Sequence, residues 1–156
     1  MSDALGLAGF VAVCLMAAMS GAFFRPGAWY LALPKPSWTP PNWLFPVAWS
    51  ILYLLIAVAG WLVWRTAGFS GAGLALGVYG LHLVFNALWS ALFFGAHRID
   101  LAFGDVVAMW LSLVGTIALF APIDPVAAAL LAPYLAWVTF AGALNFDIWR
   151  RTAATT

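Results

Sequence analysis

What this chain lacks in charge decides what it can fold into. No charged residue occurs from Ala4 to Phe24, from Trp43 to Trp64 or from Ala72 to Ala96. A helix needs about 20 apolar residues to cross the hydrocarbon core of a bilayer. The whole chain is 66% hydrophobic and 7% charged, against about 25% charged in soluble domains. Its mean hydropathy is +1.03. A water-soluble globule is excluded. The pattern predicts an all-α integral membrane protein, with residues 1–156 forming a single five-helix transmembrane bundle. The spans fall at about 4–24, 43–64, 72–96, 103–121 and 126–147. A cleaved signal peptide would want a basic start and a shorter apolar core than the first run, which opens on Asp3. The first span is therefore read as retained.

The connections carry their own signals. Arg25-Pro26-Gly27 ends the first span with a breaker pair. Residues 25–41 make a first loop longer than ordinary helix–helix connections. Trp29, Tyr30, Leu31, Leu33 and Trp38 make it too apolar for disorder, so it is expected to fold back over one end of the bundle. Trp38 to Trp49 then packs three tryptophans, three prolines and Phe45 into one stretch. The prolines forbid a regular helix across its first half. Thr39 or Asn42 is the expected cap of the second span, with Pro40 and Pro41 in its first turn. The tryptophans read either as interfacial anchors or as a lid over a pocket between helices. Residues 66–71 read as a Gly/Ser turn, Pro122-Ile123-Asp124-Pro125 as a tight turn, and Pro133 as a bend in the last span. Asp105 is expected near the interface, at the start of the fourth span.

Inside the spans, His82, Asn86 and Ser90 recur every four residues on one stripe. Polar groups at that depth face protein or a cavity rather than lipid. They read as glue between helices or as donors to a buried ligand. Trp49 with Tyr53, and Tyr134, Trp137, Ala141 and Asn145, give comparable faces on the second and fifth spans. Aromatics with a few polar groups on facing helices suit an apolar ligand site. An aromatic share of 17%, with ten tryptophans, suits a flat conjugated or polycyclic ligand. His82 alone could ligate haem iron, against the plainer reading of a hydrogen-bonded interior histidine. His82 and His97 are too few for a zinc site, and no metal site is assigned. Cys14 reads as a packing residue. A net charge of +1 leaves no nucleic-acid footprint. Gly73-xxx-Gly77 is a small-residue pattern that lets another helix approach, and is the candidate dimer interface. Leu144, Phe146 and Arg150 approximate a sterol-contact pattern, with Phe146 where tyrosine is expected. Five spans put the termini on opposite sides. Arg25, Lys35, Arg98, Arg150 and Arg151 share one side and Arg65 the other, so the C-terminus is expected in the cytoplasm if the host is an inner membrane.

Taken together, several blocks resemble one family. They are Trp29-Tyr30, Lys35-Pro36-Ser37-Trp38-Thr39-Pro40-Pro41, the Trp43 to Trp49 run, Phe85-Asn86-Ala87-Leu88-Trp89, Phe93-Phe94-Gly95, Pro133-Tyr134-Leu135-Ala136-Trp137 and Leu144-Asn145-Phe146. In this order, over nearly the whole chain, they resemble the TspO/MBR proteins, also called tryptophan-rich sensory or translocator proteins. The resemblance implies five transmembrane helices, a homodimer and a ligand pocket under the first loop. It implies binding of porphyrins such as protoporphyrin IX, of haem, of sterols or of benzodiazepine-type ligands, with no required cofactor. Function as a sensor, regulator or transporter follows, with light-dependent porphyrin degradation as the enzymatic alternative. Carried over by position, the pocket involves Tyr30, Trp38, Trp49, His82, Asn86, Trp137, Ala141 and Asn145. Phe45 and Tyr53 join them as ligand-binding candidates, and Trp49 and Trp137 are the catalytic candidates. His82 stands where relatives often carry Asn or Gln.

Overall fold

The computed structural model describes residues 1–156; its regular structure is all helical, with no strand. α1 spans Asp3–Phe23, α2 Ala28–Ala32, α3 Leu44–Gly71 and α4 Gly73–Ser90, which runs on through a wider π-type turn at Ala91–Gly95. α5 spans Ile99–Phe120, α6 Pro125–Leu130 and α7 Ala132–Ala153. Five helical stretches are long and apolar enough to cross a membrane: Asp3–Phe23, Leu44–Gly71, Gly73–Gly95, Ile99–Phe120 and Pro125–Ala153. This is a multi-pass integral membrane bundle.

The helix ends follow from local chemistry. Ser2 caps α1 by accepting from the Leu5 amide, and Asp3 sits in the first turn, where the helix dipole favours negative charge. Asp124 caps α6 through the Ala127 amide at 3.0 Å, with Pro125 at the first helical position. Asp147 pairs with Arg150 at 2.9 Å and Arg151 at 3.0 Å across the last turns of α7.

Several boundaries differ from the sequence reading. α3 continues past Trp64, and residues 66–71 belong to it rather than to a Gly/Ser turn. The helix kinks where Gly68 takes a φ of 66°, a left-handed value open to glycine at little cost. Thr39 and Asn42 do not cap α3. Trp43 holds that position with no side-chain bond, and the Leu44 amide bonds back to the Pro41 carbonyl at 3.0 Å. Pro40 and Pro41 therefore lie before the helix, not in its first turn. The first loop contains the short α2. α5 starts at Ile99, so Asp105 lies inside the helix rather than at its start, 7% exposed with neither carboxylate oxygen hydrogen-bonded. The last span breaks at Leu131, ahead of Pro133, into α6 and α7.

α4 packs most extensively on α5, α1 on α3, and α5 on α7. Ile56, Val63, Tyr79, Leu113, Phe120, Leu131 and Tyr134 are fully or almost fully buried between them. Helices in lipid gain little hydrophobic energy from meeting, so close packing has to hold them. Gly60 shows how tight this is: a Cβ there would lie 2.7 Å from the Tyr79 ring and 2.8 Å from Phe10. The Tyr79 hydroxyl crosses that gap to donate to the Ile56 carbonyl at 2.9 Å. Leu54, Leu74, Val84 and Leu111 point outward, more than half exposed, as a lipid-facing surface requires.

Candidate functional site

The first loop is tied down by a cation. Lys35 Nζ donates to the carbonyls of Tyr30 (2.6 Å), Leu31 (3.2 Å) and Leu33 (3.2 Å), closing the C-terminal end of α2. The same ammonium sits 4.7 Å from the Tyr30 ring centroid. Tyr30 is buried, which pushes its hydroxyl above the ordinary tyrosine pKa, and its ring meets the edges of Phe93 and Phe94. Trp29 stacks on His97 at 4.0 Å, and Trp38 meets Phe140 edge-on. The loop is thus held to the π-type turn on one side and to α7 on the other.

Beneath it lies a cavity of about 710 Å³. Ala18, Gly21 and Ala22 of α1 form one wall, and Phe45, Trp49 and Tyr53 of α3 the next. Asn86, Trp89 and Phe93 of the third span close it, with Ala141, Leu144 and Asn145 of α7. Tyr30 roofs it, and Arg25 and Asn42 stand at the loop end. The wall is mainly apolar and aromatic, with a few convergent amides.

Those amides are already engaged. Tyr53 donates its hydroxyl to Asn86 Oδ1, and Asn86 Nδ2 donates to the Tyr134 hydroxyl oxygen at 2.7 Å. His82 Nε2 lies 2.7 Å from the same oxygen, and His82 Nδ1 lies 3.3 Å from the Tyr79 carbonyl. A carbonyl can only accept, so Nδ1 carries the proton and Nε2 receives the Tyr134 hydroxyl hydrogen. Asn145 is fixed likewise, accepting from Trp89 Nε1 at 3.0 Å and donating to the Ile99 carbonyl at 3.0 Å.

The structure brings Tyr30, Phe45, Trp49, Tyr53, Asn86, Ala141 and Asn145 to one cavity. It places three other candidates outside its wall. His82 stands behind Asn86, with both ring nitrogens occupied. Trp137 backs Trp49, ring centroids 6.4 Å apart, and its Nε1 is buried without a partner. Trp38 lies on the outer surface, 47% exposed. Of the sterol segment, Leu144 lines the cavity, Phe146 is exposed and Arg150 pairs with Asp147 at 2.9 Å. Gly73 and Gly77 have open space where a Cβ would stand. No group of three metal-ligating side chains comes together.

Motif reading left Arg25, Trp89, Phe93 and the small residues of α1 out of the site, along with further wall residues such as Phe94, Met109 and Ile148. Trp89 and Phe93 carried a signal, since they continue the Asn86 face at helical spacing. Arg25 and the α1 wall carried none.

The chain matches the TspO/MBR family over residues 10–150. It belongs to that family. Among relatives, the TspO/MBR chain is 46% identical over 145 residues to Protein CrtK of Rhodobacter capsulatus, covering 90% of this chain and 88% of that protein. It is 43% identical over 141 residues to a tryptophan-rich sensory protein of Cereibacter sphaeroides, covering 90% and 87%. It is 37% identical over 124 residues to the translocator protein of Homo sapiens, covering 78% and 73%. The matched residues of this TspO/MBR chain run from α1 into the last turns of α7, so they include every element that walls the cavity.

Proposed function

We propose that this TspO/MBR chain binds a flat tetrapyrrole, protoporphyrin IX or haem, beneath its first loop, and acts as a sensor, regulator or transporter of it. The observation that carries this reading is the cavity of about 710 Å³ with Trp49, Tyr53, Trp89 and Phe93 in its wall. That volume lies inside the roughly 300–1,000 Å³ of small-molecule sites. Aromatic faces suit a conjugated macrocycle, and the engaged amides fix the shape of the wall. The macrocycle is a ligand on this reading, not a required cofactor. The names of the relatives, sensory protein and translocator protein, accord with it. The loop charges favour a cytoplasmic C-terminus in an inner membrane, and Gly73 with Gly77 favour a homodimer. A sterol is the weaker occupant, because of its segment only Leu144 reaches the cavity.

The test is a titration of tryptophan fluorescence with protoporphyrin IX in detergent or nanodiscs. Trp49→Ala removes a ring from the wall and is expected to weaken Kd severalfold. Trp137→Ala, one layer back, is expected to weaken it less. Equal affinity in wild type and Trp49→Ala would take the ligand out of this cavity.

Light-dependent breakdown of the porphyrin is a second reading, favoured by the edge-to-face Trp49 and Trp137 pair at 6.4 Å. Dissolved oxygen adds across a methine bond of the photoexcited macrocycle and both its atoms end as carbonyl oxygens of the opened ring, while the indole pair lends the excited ring an electron and recovers it as the oxygen adds. Illumination of the pure protein with protoporphyrin IX in air is expected to give a new absorbing product. Equal product from a Trp49→Phe, Trp137→Phe double variant would remove both rings from that chemistry.

A further inference from the structure

The cavity is mainly apolar and aromatic, and it carries charge at one place on its rim. Arg25 is the single charged side chain among its lining residues. Its Nε donates to the Ala22 carbonyl at 2.8 Å, which anchors the guanidinium against the end of α1. Its two terminal nitrogens make no hydrogen bond and no ion pair. The ion pairs of the molecule lie elsewhere, between Arg98 and Asp100 and between Asp147 and Arg150 or Arg151. The chain's five acids are Asp3, Asp100, Asp105, Asp124 and Asp147, and none lines the cavity.

Most of the other polar groups of the wall are committed, while Asn42, Ser90 and the Tyr30 hydroxyl, which also line it, make no side-chain hydrogen bond. Asn86 and Asn145 each accept and donate within the protein, Tyr53 donates to Asn86, and Ser50 donates to the Pro46 carbonyl. The cavity therefore has an apolar body with a cationic, planar, multi-donor group at its loop end. That polarity matches one kind of occupant: a molecule with a flat apolar body and a carboxylate at one edge. A guanidinium recognises carboxylate through paired donors, which an ammonium cannot reproduce. α1 ends at Phe23, and Pro26 disfavours helical backbone at Arg25, so Arg25 stays at the loop end of the cavity rather than on the helix.

We infer that Arg25 is the specificity-determining residue of the cavity, pairing with the peripheral carboxylate of a porphyrin whose ring lies against Trp49 and Trp89. The inference rests on the porphyrin reading above and deepens it. A plainer role exists for the same residue, since a cation at a helix C-terminus complements the last carbonyls and snorkels to the membrane surface. That role acts on folding and is blind to the ligand's charge, so the two are separable.

The experiment compares protoporphyrin IX with its dimethyl ester, on wild type, Arg25→Gln and Arg25→Lys, by quenching in nanodiscs. Thermal melting checks the fold of each variant. Wild type is expected to prefer the free acid by roughly three- to tenfold, the modest size reflecting an exposed partner. The preference should narrow at high salt. Arg25→Gln is expected to bind both forms as wild type binds the ester, and Arg25→Lys to keep part of the preference. Equal binding of acid and ester by wild type overturns the role of Arg25 and leaves the porphyrin reading standing. An equal loss for both forms in Arg25→Gln overturns it too, as the mark of a structural residue. Failure of wild type to bind either form removes both readings together.

Discussion

Tyr134 shows what a single hydroxyl does in this bundle. It receives a hydrogen bond from Asn86 at 2.7 Å and donates one to His82 at 2.7 Å, joining α4 to α7 behind the cavity wall. Its ring is fully buried and meets Trp49 edge-on. Removing the oxygen leaves an amide donor and an imidazole acceptor unpaired. Tyr134→Phe is therefore expected to lower stability by about 1–2 kcal/mol, the scale for an interhelical hydrogen bond whose loss strands buried partners. Thermal unfolding in detergent, followed by circular dichroism, measures it. An unchanged midpoint would mean that Asn86 and His82 find other partners. Half of this network was legible in the sequence. The spacing of His82 and Asn86 put them on one stripe, and depth in the membrane required them to face protein. That Tyr134 completes the set was not legible, because its partners lie 52 and 48 residues away along the chain. Periodicity speaks only within a helix.

Among the elements, the first loop bears most directly on function, and Lys35 is its fastening. One ammonium serves three carbonyls at the end of α2 and lies against Tyr30, the residue that roofs the cavity. Lys35→Met keeps the apolar stem and removes every one of those bonds. The expected result is faster amide hydrogen exchange across residues 28–42 with unchanged exchange in α3, α4, α5 and α7. Release of bound protoporphyrin should quicken severalfold, read by stopped-flow recovery of fluorescence. If exchange in the loop stays at the wild-type rate, the stacking of Trp29 on His97 and the contact of Trp38 with Phe140 are holding it instead. The sequence foretold a loop folded over the bundle, because an apolar segment that long cannot lie free in water. It could not foretell α2, whose five residues are fewer than a helix needs to declare itself by pattern. The reach of α3 was hidden for a related reason. Gly68 looks like the centre of a turn, and the left-handed φ it adopts is a turn value, yet here it kinks a helix that continues to Gly71.

At the scale of the whole molecule, the remaining question is what covers α4. This helix buries Tyr79, His82, Leu83 and Asn86 inward, and it turns Gly73, Leu74, Gly77, Leu81, Val84 and Leu88 outward. In water such a face would be hidden by collapse. In lipid it gains nothing from being hidden, so association must come from the close approach that small residues permit. Gly73 and Gly77 are one turn apart, and a Cβ added at either meets nothing within 4 Å in the protomer. That makes the pair a clean probe. A Cβ at either position has open space within the protomer, so leucine there is expected to spare the packing of the chain on itself while pushing a second helix away from contact distance. On the proposed homodimer, Gly73→Leu with Gly77→Leu is expected to convert a dimer to a monomer in size-exclusion chromatography with light scattering. The melting profile of the separated protomer and its protoporphyrin affinity should stay near wild type, because the cavity is walled by elements of one chain. A double variant that remains dimeric would move the interface to another face. One that loses ligand binding along with the dimer would tie the cavity to the partner, against the separation that the inward and outward faces of α4 imply.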